Sequence, residues 1–282
     1  MGLTRTVLIL LLLAATGCSP AGLLNATVSS AGSTETTDIA YMPGPRGVLD
    51  IYKPVQPGGP LIVFLYGGSW KTGDKSDYPF VARPLAARGA VVVVPNYRLY
   101  PEVRFPDFLD DNAKAVAWAV AHAAELGADA RSIFVVGHSA GAYDALMLAT
   151  DPRYLIRAGV SRDRLAGVVG LAGPYDFLPS SDPDVIPVFG AANTPANEPV
   201  AFADGHSPPL LLLAGDADTT VMPRNTISLA QRVRAAGGPV ESRIYPGIGH
   251  IGLITAFAPL FASRAPVLDD VWSFLQRHQP AG

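Results

Sequence analysis

Six short runs punctuate the chain, most of them apolar throughout: Leu61 to Tyr66, Val91 to Pro95, Ile133 to Gly137, Val168 to Leu171, Leu210 to Ala214 and Ser242 to Tyr245. A strand buried on both faces of a parallel sheet reads as such an unbroken run, whereas a half-exposed strand alternates. Between them lie stretches with helical spacing of apolar positions, at about Pro79 to Arg88, Asp107 to Glu125, Ala140 to Ala149, Pro223 to Ala236 and Pro266 to Arg277. Strand and helix in alternation predict an α/β fold, a mostly parallel doubly wound sheet with helices on both faces. Val48 to Tyr52 reads as an antiparallel edge strand before it. At 282 residues one large core suffices, and no internal repeat is visible.

The N-terminus breaks this pattern. Arg5 precedes a continuous apolar run from Val7 to Ala15, and Ala15-Thr16-Gly17-Cys18 places small residues before a cysteine. The run is shorter than the roughly 20 residues a membrane-spanning helix needs, so residues 1–17 read as an export signal peptide. It resembles a bacterial lipoprotein signal, which implies cleavage before Cys18 and acylation of its thiol. An ordinary secretory signal cut nearby is the alternative. Cys18 is the one cysteine of the chain, so no intramolecular disulfide can form. Residues 18–40, rich in Ser, Thr, Ala and Gly without an apolar period, read as a flexible tether, and residues 41–282 as the folded domain. The expected place is therefore lipid-anchored at the bacterial cell envelope, the outer membrane where there are two, since Ser19 follows the cysteine. Without the lipid it would be periplasmic or secreted. Charged residues make up 16% of the chain and its formal net charge is -3, which offers no basic surface to a phosphate backbone and excludes nucleic acid as an expected partner.

The candidate chemistry sits where strands end. Gly137-His138-Ser139-Ala140-Gly141 follows a strand and opens a helix, the strand–turn–helix setting in which a G-x-S-x-G pentapeptide presents a nucleophilic serine. Side chains at 137 and 141 would collide with the neighbouring helix and strand, and the helix starting at Ala140 aims free N–H groups at the atom that becomes negative. His138, adjacent on a tight turn, reads as packing. The first long strand runs into Tyr66-Gly67-Gly68-Ser69-Trp70, on the same sheet edge, where backbone amides can approach a reacting carbonyl; Gly68, Ser69 and Ala140 are the candidate oxyanion hole. Gly215-Asp216-Ala217-Asp218 ends a later strand, and Pro246-Gly-Ile-Gly-His250 follows the last, giving the order Ser, acid, His that this fold uses. His122 falls within a helix, His278 near the terminus and His206 before a strand, so His250 is the candidate base.

Tyr66-Gly-Gly-Ser-Trp70, Pro95-Asn-Tyr-Arg98 and Gly137-His-Ser-Ala-Gly141 resemble the esterase branch of the α/β hydrolases: hormone-sensitive-lipase-like esterases, feruloyl-esterase-like proteins and kynurenine formamidases. The resemblance runs from about residue 45 onward. Tyr66 stands where those families usually carry His, and His138 where the hormone-sensitive-lipase branch has Asp, which points toward the other two groups. The resemblance implies Asp218, the second aspartate of its loop, as the acid, leaving Asp216 to brace the loop. It implies a carboxylic-ester hydrolase acting on a small-molecule ester through an acyl-enzyme on Ser139, with neither metal nor organic cofactor. A peptidase, formamidase or thioesterase on the same triad stays open, as does an inactive binding lipoprotein with the hydrolase fold. Residues 174–209, Pro-rich with Tyr175, Phe177, Phe189 and Phe202, read as a cap insertion, either lining a pocket or shielding the sheet edge. Asp110 and Asp111 head a helix, where negative charge is favourable without any catalytic role.

Overall fold

In the computed structural model, which describes residues 20–280, each of the six runs falls in a strand, the first ending one residue earlier, at Leu65. The elements in chain order are α1 (Pro20–Ala26), β1 (Ser33–Ala40), β2 (Val48–Pro54), β3 (Leu61–Leu65), α2 (Pro79–Ala87), β4 (Val91–Pro95), α3 (Asp107–His122), β5 (Ile133–His138), α4 (Ala140–Thr150), α5 (Arg153–Arg157), β6 (Leu165–Leu171), α6 (Ile186–Phe189), β7 (Leu210–Gly215), α7 (Arg224–Ala235), β8 (Val240–Tyr245), α8 (His250–Thr255) and α9 (Val267–His278). They form one eight-stranded sheet in the order β1-β2-β4-β3-β5-β6-β7-β8, against which the helices pack. Only the pairs β1/β2 and β2/β4 are antiparallel. Strands β3, β4 and β5 are buried along their whole length, which is why they read as uninterrupted apolar runs.

Register places the functional loops together. Leu65 stands opposite Gly137, His138 opposite Leu171, and Gly215 opposite Tyr245. Parallel strands aligned at their carboxyl ends release their loops along one edge, so the segments after β3, β5, β7 and β8 emerge side by side, where ligands bind in open α/β sheets.

Residues 20–40 do not form the expected tether, and the folded domain does not start at 41. β1 pairs with β2 from Ser33 opposite Pro54 to Ala40 opposite Val48, so β2 is an inner strand and β1 is the edge. Nearly every β1 side chain is exposed, and a strand solvated on both faces carries no apolar period; its Thr residues favour extended backbone all the same. Helix α1 docks through Asn25, whose Oδ1 accepts the Phe80 amide (2.9 Å) and whose Nδ2 donates to the Ser76 carbonyl (3.2 Å). That bond satisfies one of the orphan N–H groups at the start of α2. Arg83 of α2 adds an ion pair with Glu35 of β1 (2.7 Å). Cys18 and the signal segment 1–17 lie outside the described residues.

Residues 174–209 contain α6 and several 3-10 turns but no strand. Buried Glu198 ties the segment to itself, one carboxylate oxygen accepting the amides of Phe177 (2.7 Å) and Leu178 (2.8 Å).

Candidate active site

Ser139 sits between β5 and α4 with φ 55° and ψ -122°, a backbone conformation that a residue with a Cβ rarely adopts. The flanking glycines explain how the turn closes. A Cβ on Gly137 would stand 2.1 Å from the Gly141 carbonyl oxygen, and one on Gly141 would stand 2.1 Å from that of Leu65 in β3. The Ser139 amide donates to the Leu171 carbonyl of β6 (2.9 Å), which fixes the turn to the neighbouring strand.

Three side chains that are distant in sequence meet here. The Ser139 hydroxyl lies 2.9 Å from Nε2 of His250, and Nδ1 of His250 lies 2.8 Å from Oδ2 of Asp218. The other Asp218 oxygen accepts the amides of Thr220 and Val221, both at 2.9 Å, so the buried carboxylate is fully engaged and cannot turn away. Asp216 does not reach His250. Its Oδ1 accepts the Gly247 amide (2.6 Å), bracing the loop that carries the histidine. His122 bonds within its own helix to the Trp118 carbonyl, and His278 approaches Glu241, both away from Ser139.

His138 is 4% exposed, and its ring centroid lies 5.0 Å from that of His250. Burial, reinforced by the neighbouring His250, pushes its pKa from 6.5 down to about 3, so the ring is neutral at ordinary pH. Its Nε2 is buried without a hydrogen-bond partner among the described residues.

A cavity of about 640 Å³ opens beside Ser139, and Ser69, Trp70 and Ala140 line it along with the serine. None of the hydrogen bonds among the described residues takes the amide hydrogens of Ser69 or Ala140. Gly68 does not line the cavity; its carbonyl accepts the amides of Lys71 and Thr72, both at 3.0 Å, closing a tight turn that gives Ser69 and Trp70 positive φ (52° and 57°).

Two buried braces hold this loop, and neither was legible as a function in the sequence. Tyr66 donates to Asn96 Oδ1 (2.8 Å) and accepts from Arg46 (2.6 Å), while Tyr97 donates to the Tyr66 carbonyl (2.8 Å). Tyr66, with the Asn-Tyr of the Pro95–Arg98 motif, thus supports the start of the loop. Arg98 turns to Asp111, a wholly buried residue that takes the guanidinium at 2.7 Å through both oxygens. Farther along, the Trp70 indole donates to Asp144 Oδ1 (2.9 Å), and Asn112 donates to Asp144 Oδ2 (2.9 Å). Asp144 lies on α4, so the helix that begins beside Ser139 also anchors the loop facing it. Burial raises the Asp144 pKa well above the usual carboxylate range, opposed by those two donors. A lone carboxylate in the apolar run Ala140 to Ala149 was the signal available in the sequence.

The cap segment meets this loop through aromatic rings. Trp70 stacks on Phe108 of α3 (5.6 Å) and Phe177 (6.4 Å), and meets Tyr143 and Phe189 edge-on (5.3 and 5.1 Å). Phe177 also lines the cavity, whereas Tyr175 is buried in the core and Phe202 lies under Arg153.

A family model described as BD-FAE matches residues 49–233. The chain is 30% identical over 237 residues to Esterase LipC of Mycobacterium tuberculosis, covering 75% of this chain and 58% of that protein. It is 24% identical over 268 residues to the isoprenylcysteine alpha-carbonyl methylesterase ICME of Arabidopsis thaliana, covering 86% of this chain and 62% of that one. The chain thus spans less than two thirds of the length of these relatives. Among solved structures, a truncated carbohydrate esterase from gut microbiota superposes with a TM-score of 0.76 at 20% identity, over 90% of this chain and 98% of the other. Esterase B from Lactobacillus rhamnosis gives 0.77 at 19% identity, over 92% and 91%. The fold is that of the α/β hydrolases.

Two measurements check the Trp70–Asp144 brace and the burial of His138. Trp70→Phe keeps an aromatic ring but removes the indole N–H and part of its bulk, so urea unfolding should show a loss of about 1–3 kcal/mol, and in a double-mutant cycle with Asp144→Ala the two losses should be less than additive because both remove the same bond. If the two losses simply add, the Trp70–Asp144 bond is not what holds the loop. For His138 the folded pKa lies below the unfolded one, so the unfolded chain binds the proton first. The stability of the neutral ring is complete above about pH 6.5 and falls as pH drops toward about 3, by up to about 1.4 kcal/mol per unit. Wild-type stability should therefore fall more steeply over this range than that of His138→Gln; parallel slopes would show that His138 carries no such linkage.

Proposed function

The chain belongs to the BD-FAE family, and on that footing we propose that it is a serine hydrolase cleaving carboxylic esters through an acyl-enzyme on Ser139. The observation that carries this reading is the unbroken hydrogen-bonded chain from Ser139 through His250 to Asp218 at the wall of the cavity. His250 Nε2 takes the hydroxyl proton as Ser139 Oγ attacks the acyl carbon, and the bond to Asp218 keeps Nδ1 protonated and the ring aligned. As the carbonyl oxygen becomes negative, the amides of Ser69 and Ala140 receive it, with the N-terminal end of α4 adding its positive dipole. Gly68 serves by shaping the turn that aims Ser69. His250 then returns the proton to the departing alcohol, and water repeats the sequence on the acyl-enzyme. The neutral His138 beside it places no second positive charge against the imidazolium that forms.

The relatives fit this chemistry by name, an esterase and a methylesterase among them. The Ser–acid–His order along the chain and the amides of Ser69 and Ala140 support catalysis over an inactive binding protein. We also read the protein as exported and held at the cell envelope by acylation of Cys18, a reading supported by the apolar run and the small residues before that cysteine. With α1 packed onto the domain from residue 20, such an anchor would hold the domain close to the membrane.

Ser139→Ala should abolish turnover of 4-nitrophenyl esters and the adduct formed with a fluorophosphonate probe while leaving the circular dichroism unchanged; removing a triad member costs several powers of ten in rate, so more than about a hundredth of wild-type activity would sink the assignment. Asp218→Asn should cost far more than Asp216→Asn, and the reverse order would reassign the acid. Cys18→Ser should move the protein from membrane to soluble fractions or leave it as an uncleaved precursor, since several acyl chains hold a protein on a bilayer where one barely does. Unchanged fractionation together with no fatty-acid label on the wild type would refute the anchor.

A further inference from the structure

The cavity at Ser139 continues past the reacting centre. A second hollow of about 310 Å³ shares Phe177, Pro179 and Arg224 with it, so the two meet along the face where Arg224 stands. An ester positioned at Ser139 has room to extend toward that side chain. The charged groups around this cleft are otherwise engaged. Asp182 accepts the Asp184 amide (2.8 Å), Asp184 pairs with Lys71, and Asp176 accepts the Ser228 hydroxyl. The guanidinium of Arg224 has no hydrogen bond, ion pair or ring contact among the described residues. Its backbone is nevertheless fixed. The next residue, Asn225, is buried, and its Oδ1 accepts the amides of Tyr175 (3.0 Å) and Asp176 (2.9 Å), clamping the first turn of α7 to the start of the cap segment.

We propose that Arg224 is a specificity-determining residue that receives a carboxylate carried by the substrate, in its acyl or its alcohol part, so that the preferred esters are anionic. The inference rests on the ester-hydrolase reading. A guanidinium presents N–H donors in a planar fork that matches a carboxylate, and here the fork stands open at a cleft with its anchor point held. The N-terminal end of α7 adds potential of the same sign. Asp176 and Asp182 oppose it, but each is turned to its own neighbour and neither reaches the guanidinium. A contact to a part of the substrate that does not itself react is made equally in the bound ground state and the transition state, so it acts on KM and not on kcat.

The test compares matched anionic and neutral esters: 4-nitrophenyl hydrogen succinate with 4-nitrophenyl butyrate for the acyl side, and 3-acetoxybenzoate with phenyl acetate for the alcohol side. In at least one pair, Arg224→Gln should raise KM for the anionic member about three- to tenfold, with kcat and the neutral member changed by less than about twofold; Arg224→Lys should retain part of the preference. Half-molar salt should weaken the wild-type preference in the same pair. The proposal is overturned if neither pair responds, or if anionic and neutral members decline together. A wild-type protein that turns over none of the four esters would overturn the hydrolase reading, and this inference with it.

Discussion

Ser139 keeps a backbone conformation that costs a residue with a Cβ of order 1–3 kcal/mol, and the surrounding structure is arranged so that it cannot relax. The strand before it is buried at every residue, and so is the helix after it. Gly141 brings that helix so close to the carbonyls of Leu65 and Tyr66 that not even a methyl group fits between. A shift of α4 would therefore have to displace β3, the strand whose continuation is the Ser69 loop. Ser139 and the Ser69 loop are positioned by one contact, which makes their relative geometry insensitive to what happens at the surface.

The polar groups buried under the site extend the same logic. Tyr66 replaces the histidine usual in similar loops, yet its hydroxyl is held between Arg46 and Asn96, so the loop is braced by another donor set. Asp144 is a carboxyl without a cation, surrounded by two neutral donors from α3 and the loop. Such a group is tolerable only while both donors stay, so it ties three elements together at the cost of tolerating little change in any of them. Through Trp70 the same arrangement reaches the cap, whose Phe177 and Phe189 rest on the indole. The cap is thus packed onto the Ser69 loop.

The sheet and the meeting of Ser139, Asp218 and His250 were legible in the sequence because both depend on local signals. A strand buried on both faces is apolar throughout, and a residue at its carboxyl end must appear at one edge. Asp216 and Asp218 could be told apart only by a resemblance, and the structure separates them by what each carboxylate reaches. The braces were not legible, since Arg46, Asn96 and Asn112 look like ordinary polar residues until the chain folds and brings them to Tyr66 and Asp144. Residues 20–40 misled for the opposite reason. An outermost strand gains its stability from backbone pairing, which leaves no trace in the side-chain pattern, and composition alone reads such a stretch as linker.

That polar strand has a consequence for how the molecule coexists with copies of itself. Beneath it, β2 carries Leu49, Ile51 and Tyr52 in the core and would offer a row of bare N–H and C=O groups on its outer side. An apolar strand with an unpaired edge is a template on which another chain can add, the first step of sheet-to-sheet aggregation. β1 covers it and exposes Thr34, Thr36 and Thr37, which give a further strand no apolar row to pack against. A shortened chain beginning at residue 41 would keep Ser139, Asp218 and His250 but bare the outer edge of β2, so the stretch that looks most dispensable in the sequence is the one that covers that edge.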